Sequence, residues 1–345
     1  MKNPGHLAEL KHPRMVDGWF ATEDAPLPAD PLERLVYYAR LAPSSHNSQP
    51  WKFVVGAAEI DVFADLSRWL KVSDPSRREL HASLGCAIEA IRIAADYGQF
   101  GSSVKYFPVE YDETLVARVS IALGGPKRAM PAASLLEHIV TRRTSHKPFT
   151  RERVVSDEDR KVLYRSFEIG DVSLHFLQER PAMLALAELE ETADRRLFSN
   201  AAYRDELSAW VGEGMLGTGW LVSKLGQFAV GKLPVAERVA KDDAARLASS
   251  PLVALLSSRD DLATDAVQAG EAYMRLALMA ESKGIRVQPV SQVLEVSDTR
   301  AEVAKLFSLG ERVPQHLFRM GYADGETGPR RRRPLASMMI RAGAA

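Results

Sequence analysis

One order of segments occurs twice in this chain, and that repetition constrains the fold more than any single motif. Residues 77–98 place Leu80, Leu84, Ile88, Ile91 and Ala95 at spacings of three to four, the period of a helix buried on one face. A strand-like stretch, 116–123, follows and runs into Gly124-Gly125. Residues 265–284 read as a second long helix ending in glycine, and 317–321 as a second strand leading into Gly321. A short helix over 31–41 and strands at 52–55 and 60–63 precede the first long helix. Helices over 133–143, 182–197 and 202–211 and strands over 172–177 and 251–257 precede the second. The pattern predicts an α+β chain of two related halves, residues 31–125 and 126–340, after an arm of residues 1–30 rich in Pro, Asp and charge.

The second half is the longer one. Its excess falls around 212–247, where Gly212, Gly214, Gly217, Gly219, Gly226 and Gly231 stand among apolar residues, a composition that suits a mobile cover. Gly212-Glu213-Gly214-Met215-Leu216-Gly217 fits a dinucleotide-binding glycine pattern, but that pattern needs a buried strand before it. The preceding segment, with Leu207 and Trp210, is amphipathic and helical, so a dinucleotide fold is rejected.

Composition sets bounds. The 345 residues are 46% hydrophobic, enough for a sizeable core. Lys+Arg and Asp+Glu number 45 each, so no overall field favours nucleic acid. The one cysteine, Cys86, excludes an intrachain disulfide and reads as a small core residue. No His-x-x-x-His or Glu-x-x-His pair points to a metal, and no acid–base triad stands out among the scattered histidines. Without an apolar signal region or a membrane-length run, a soluble, cytoplasmic setting with no membrane partner is expected.

Four segments carry chemistry. Residues 42–53 read Ala-Pro-Ser-Ser-His-Asn-Ser-Gln-Pro-Trp-Lys-Phe: six polar side chains between Pro43 and Pro50, with Trp51 as an anchor. Such a loop can hold several donors and acceptors at fixed positions, although polar turns of this composition are also common. Arg142-Arg143-Thr144-Ser145-His146-Lys147-Pro148-Phe149 offers cations and hydroxyls suited to a phosphate, or a solvated basic helix end. Pro329-Arg330-Arg331-Arg332-Arg333-Pro334 concentrates four arginines, which repel one another unless an anion is near. With no interleaved aromatics and a neutral chain, a nucleic-acid patch is disfavoured there. Residues 284–292 read as a strand passing into a loop that includes Pro289 and Ser291.

The ordered string Ala-Pro-Ser-Ser-x-Asn-x-Gln-Pro-Trp resembles the flavin-contacting loop of the nitroreductase family, which is built on an FMN-dependent α+β fold with antiparallel sheets among helices. The resemblance implies cofactor contacts from Pro43, Ser44, Ser45, Asn47 and Gln49. The family's Arg-x-Ser-x-(Arg/Lys)-x-Phe motif is matched by Arg143, Ser145, Lys147 and Phe149, with Thr144 as an added contact. Its C-terminal basic segment is matched by Arg330 and Arg332, and the stretch beside the flavin edge by Pro289 and Ser291. The first half lacks the Arg-x-Ser motif, and the second carries Arg165-Ser166-Phe167-Glu168-Ile169-Gly170-Asp171 where its Ser/Asn loop would stand. One composite site is therefore expected between the halves. This is similar to the double-length, Acg-type branch, a fused pseudo-dimer. The resemblance implies FMN, NADH or NADPH as donor, a small nitroaromatic or quinone-like acceptor, ping-pong turnover, and a monomeric pseudo-dimer or a homodimer. The alternative it leaves open is a protein that binds or sequesters FMN without turnover.

Overall fold

The two longest helices meet where glycine lets them. In a computed structural model, which describes residues 14–22, 25–128, 130, 132–212, 233–323 and 331–340, the helices Arg78–Tyr97 and Ala263–Ser282 are each 20 residues long. Gly85 and Gly270 occupy the same position within their helices. A methyl group at Gly85 would lie 1.9 Å from the Val267 carbonyl oxygen, and one at Gly270 1.9 Å from that of Ala82. Only hydrogen fits at either place, so the helices cross backbone to backbone. The Cys86 thiol donates to the Gly270 carbonyl at 3.2 Å.

Each helix belongs to its own four-stranded antiparallel sheet. The first sheet runs β3 (Trp51–Val55), β4 (Glu59–Ala64), β6 (Leu115–Leu123), β5 (Phe100–Tyr106). The second runs β7 (Ser173–Leu177), β8 (Leu252–Ser258), β10 (Val313–Gly321), β9 (Arg286–Pro289). Within each half the spatial order of strands is first, second, fourth, third, with the long helix between the second and third. The architecture is α+β, two sheet-and-helix halves built on one plan. One continuous apolar core joins them, from Leu35 in the first half to Tyr322 in the second.

The sheets also reveal what periodicity missed. β5, with exposed residues alternating through Ser103 and Lys105, is too polar to stand out as a strand and is held by full pairing with β6. The helices Asp157–Tyr164 and Ser297–Leu306 were likewise not anticipated, since both are short and highly charged. The expected helix over 133–143 is a 3₁₀ turn, Ala133–Leu135, continuing as Leu136–Thr141, and it stops before the basic motif. The expected arm contains a hairpin, β1 (Arg14–Val16) and β2 (Trp19–Ala21). Asp17 and Gly18, both at positive φ, make its two-residue turn. Trp19 stacks on Tyr38 and meets the edge of Tyr97, whose hydroxyl donates to the Gly18 carbonyl at 2.6 Å. Of the expected cover over 212–247, residues 213–232 lie outside the described residues. The flanking segments are the helices Ala201–Gly212 and Leu233–Ala248.

Candidate functional site

The loop at 42–50 keeps backbone conformations that few side chains tolerate. His46, Asn47 and Gln49 have φ of 50°, 54° and 51°, and each left-handed residue other than glycine costs of order 1 kcal/mol or more. Side-chain hydrogen bonds hold the shape. Ser44 Oγ accepts from the Gln49 amide at 2.9 Å, and the Gln49 side-chain amide donates to the Asn47 carbonyl at 3.2 Å. The Ser45 amide donates to Ser83 Oγ at 3.3 Å, and Ser45 Oγ donates to Glu79 Oε2 at 2.8 Å. Pro43, Ser48, Gln49 and Pro50 are buried, whereas Ser44, Ser45, His46 and Asn47 stay partly exposed.

These bonds set the polarity of the two serines. Burial opposes the charge of Glu79, but the Arg78 guanidinium 2.8 Å away, the neighbouring His316 and the Ser45 hydroxyl outweigh it and hold the carboxyl well below the usual range. Glu79 is therefore ionised and accepts the only hydroxyl proton of Ser45. Toward any further group Ser45 Oγ acts as an acceptor, while Ser44 retains a proton to donate.

The C-terminal arginine run returns to this loop from the far end of the chain. Arg332 NH1 donates to Asn47 Oδ1 at 2.7 Å, and its NH2 donates to the carbonyls of Leu41 and Ala42. The Asn47 amide donates to the Arg331 carbonyl at 3.1 Å. Arg333, whose role was open in the sequence, donates from its backbone to Gln49 Oε1 at 2.8 Å and from its side chain to the Gln49 carbonyl at 3.0 Å. Beyond it, Phe53 and Ile340 exchange backbone bonds with Met338 and Phe53, which seats the tail beside β3. Arg330 lies outside the described residues.

A second cluster forms on the other half. Thr144 bridges Val287 of β9, and the Ser145 amide donates to the Val287 carbonyl at 3.2 Å. Arg142 donates to Thr144 Oγ1 at 3.2 Å, while Arg143 folds back onto the carbonyls of Val140, Thr141 and Arg142, capping the helix that has just ended. Ser145 is fully buried. Gln288 meets His146 Nδ1 at 3.1 Å and accepts from Arg319 Nε at 2.7 Å. Arg319 also donates to the Lys147 carbonyl at 2.7 Å and lies over the Phe149 ring. Pro289 ends β9, and Ser291 begins the short helix Gln292–Glu295 just beyond it.

β10 is common to both clusters. Its His316 stands 3.9 Å from Glu79, behind the loop, and Arg319 on the same strand organises the 144–149 turn. Two residues of strand lie between them, a rise of roughly 10 Å. Glu79, Gln288 and Arg319 were not singled out from the sequence, because nothing local marks a buried acid, amide or guanidinium as facing a distant loop. Arg333 could have been found from its place in the basic run. Among the described residues no group of three or more His, Cys, Asp or Glu could hold a metal ion, and no helix is long and apolar enough to cross a membrane.

The nitroreductase family model matches residues 22–83, a span that contains the whole loop together with Glu79. A putative NAD(P)H nitroreductase of Mycobacterium tuberculosis, Rv3131, is 26% identical over 87% of this chain and 88% of its own length. The putative NAD(P)H nitroreductase acg of the same organism is 26% identical over 87% of this chain and 91% of its own. The chain is thus similar to nitroreductases over most of its length. It is also similar to an uncharacterized M. tuberculosis protein, Rv3127, at 25% identity over 89% of this chain and 92% of the relative. These matches run through both halves. Among solved structures, the FMN-dependent nitroreductase NfnB of Mycobacterium smegmatis, in complex with NADPH, is 18% identical, with a TM-score of 0.42 over 61% of this chain and 99% of that one.

Proposed function

We propose that this chain is an FMN-binding oxidoreductase that uses NADH or NADPH to reduce small nitroaromatic or quinone-like acceptors. In this reading residues 31–125 and 126–340 are two nitroreductase-like halves of a pseudo-dimer that share one site. The observation that carries it is the convergence of the 44–49 loop with Arg332 and Arg333, residues some 285 positions apart in sequence. The donor set fits the group. A flavin pyrimidine edge alternates carbonyl oxygens with an N–H, and Ser44 and Ser45 present a donor and an acceptor side by side. A phosphate needs cations and hydroxyls, which the 142–147 turn and the tail supply. Bound there, FMN would contribute the two-electron chemistry, and the protein the orientation and exclusion of water. In the same reading, Asn47 and Gln49 fasten the arginine tail, Pro289 and Ser291 border the site on the β9 side, and Glu79 keeps the Ser45 hydroxyl turned one way.

The test is the visible absorbance of the purified chain before and after anaerobic NADH or NADPH. A flavin spectrum that bleaches with either donor is the expected result. A flavin that persists with both donors but bleaches with dithionite would replace turnover with sequestration. A chain that neither carries nor takes up FMN would end the flavin reading.

A further inference from the structure

Arg319 is a buried cation that makes no ion pair among the described residues. It is 1% exposed, and among the described residues no carboxylate lies within 4 Å of its guanidinium. Two of its nitrogens are used, Nε on Gln288 Oε1 and NH2 on the Lys147 carbonyl, while NH1, also buried, has no hydrogen-bond partner among the described residues. Its plane lies 4.1 Å from the centre of the Phe149 ring. Burial pulls the guanidinium down to about 10, with Arg246 adding to the effect and the Asp243 carboxylate opposing it, so it remains charged at neutral pH. A buried charge without a counter-ion is costly, and folds that keep one usually compensate it with a ligand or a network. Two of the three contacts of Arg319, the Lys147 carbonyl and the Phe149 ring, lie on the segment that carries Thr144, Ser145 and Lys147, and the third, Gln288, meets His146 of that segment, which also has the chemistry of a phosphate cradle.

We infer that Arg319 is a positioning residue for a phosphate group: it fixes the 144–149 turn through the Lys147 carbonyl, Gln288 and Phe149, and its buried positive charge favours a dianion over a neutral ligand at that turn. The inference rests on the flavin reading above. It gives a β10 residue a share in recognising the phosphate end of the ligand. A guanidinium suits the task better than an ammonium because it holds two acceptors in one plane while stacking on an aromatic ring.

The experiment compares FMN with riboflavin, which lacks the phosphate, by flavin fluorescence quenching on the full-length apoprotein. In the parent chain FMN binds more tightly than riboflavin. Arg319→Met is expected to weaken FMN by roughly tenfold or more, the scale of one charge-assisted contact, and to leave riboflavin within about twofold, the ordinary scatter of a neighbouring change. Inorganic phosphate is expected to compete with FMN less well on the variant than on the parent. Parallel losses for FMN and riboflavin would reduce Arg319 to a structural residue, and an unchanged ratio of the two affinities would remove it from phosphate recognition. If Arg319→Met does not fold, Arg319→Lys keeps the charge but loses the fork. It should then show a smaller FMN-selective loss, and an unchanged ratio there would also overturn the inference. If the parent binds neither flavin, the flavin reading itself has failed, an outcome distinct from the other two.

Discussion

Asp74 illustrates how one residue ties the candidate site to stability. Its carboxylate oxygens accept from the amides of Glu79 and Leu80 at 3.1 and 2.8 Å, so it caps the first long helix from four residues upstream. Burial, reinforced by the negative charge of Glu79, pushes its carboxyl up to about 7. An acid with a raised folded value holds its proton longer in the native state than in the unfolded chain. Its contribution to stability is therefore complete below the ordinary aspartate value and declines as pH climbs toward 7. Asp74→Asn keeps the capping oxygen and cannot ionise. Its melting temperature, measured against the parent from pH 4 to pH 8, should gain progressively across that window. A difference that stays constant with pH would show that Asp74 does not titrate as described. At this scale part of the site was legible. The order Pro43-Ser44-Ser45-x-Asn47-x-Gln49 and the arginine run are contiguous strings, and both lie where the loop and tail meet. The supports were not legible: Glu79 sits in a helix whose apolar period says only that it is buried, and its partner Ser45 is 34 positions away.

At the scale of elements, the crossing of the two long helices is the feature most sensitive to change. A side chain at Gly85 or Gly270 would strike carbonyl oxygen, which cannot turn aside as a flexible side chain can. Gly85→Ala should destabilise the fold by roughly 3 kcal/mol or more, the upper range for overpacking. Gly85→Ala with Gly270→Ala should cost less than the sum, because the first methyl already forces the helices apart. Denaturant unfolding of the two single variants and the double variant decides the matter, and strict additivity would mean that the contacts are independent. The helices themselves were readable from their period, but the role of their glycines was not, since a glycine inside a helix pattern looks the same whether it is tolerated or required. β5 was hidden for the opposite reason. Its ladder with β6 supplies the order that its polar sequence does not announce, a case of tertiary pairing overriding local preference.

At the scale of the whole molecule, the question is whether the halves behave as one unit. A buried ion network crosses between them. Glu89 of the first helix accepts from Arg275 of the second at 2.8 Å and from Arg128 at 2.8 Å, and Arg92 of the first pairs with Glu271 of the second at 2.9 Å. Arg128 also bonds Asp96, and the Tyr106 hydroxyl bonds Glu271. Burial opposes ionisation of Glu89, but Arg128, Arg275 and Arg92 outweigh it and hold its carboxyl below the usual range. Burial and the charge of Glu89 push Glu271 up, against the pull of Arg92. The stabilisation from Glu89 is thus present above the ordinary glutamate value and is lost as pH falls below it. Glu89→Gln leaves Arg275 buried without its anion and Arg128 with Asp96 alone, and should cost about 3–5 kcal/mol. Glu89→Met combined with Arg275→Met should recover part of that loss, since the buried charge goes with its partner. Because the network and the apolar core both span the halves, tryptophan fluorescence and far-ultraviolet circular dichroism of the whole chain should report one coincident unfolding transition. Glu89→Gln should move that transition as a single step. Two separated transitions, with the substitution shifting only one, would mean that each half folds for itself and that the proposed site between them is assembled by docking rather than by folding.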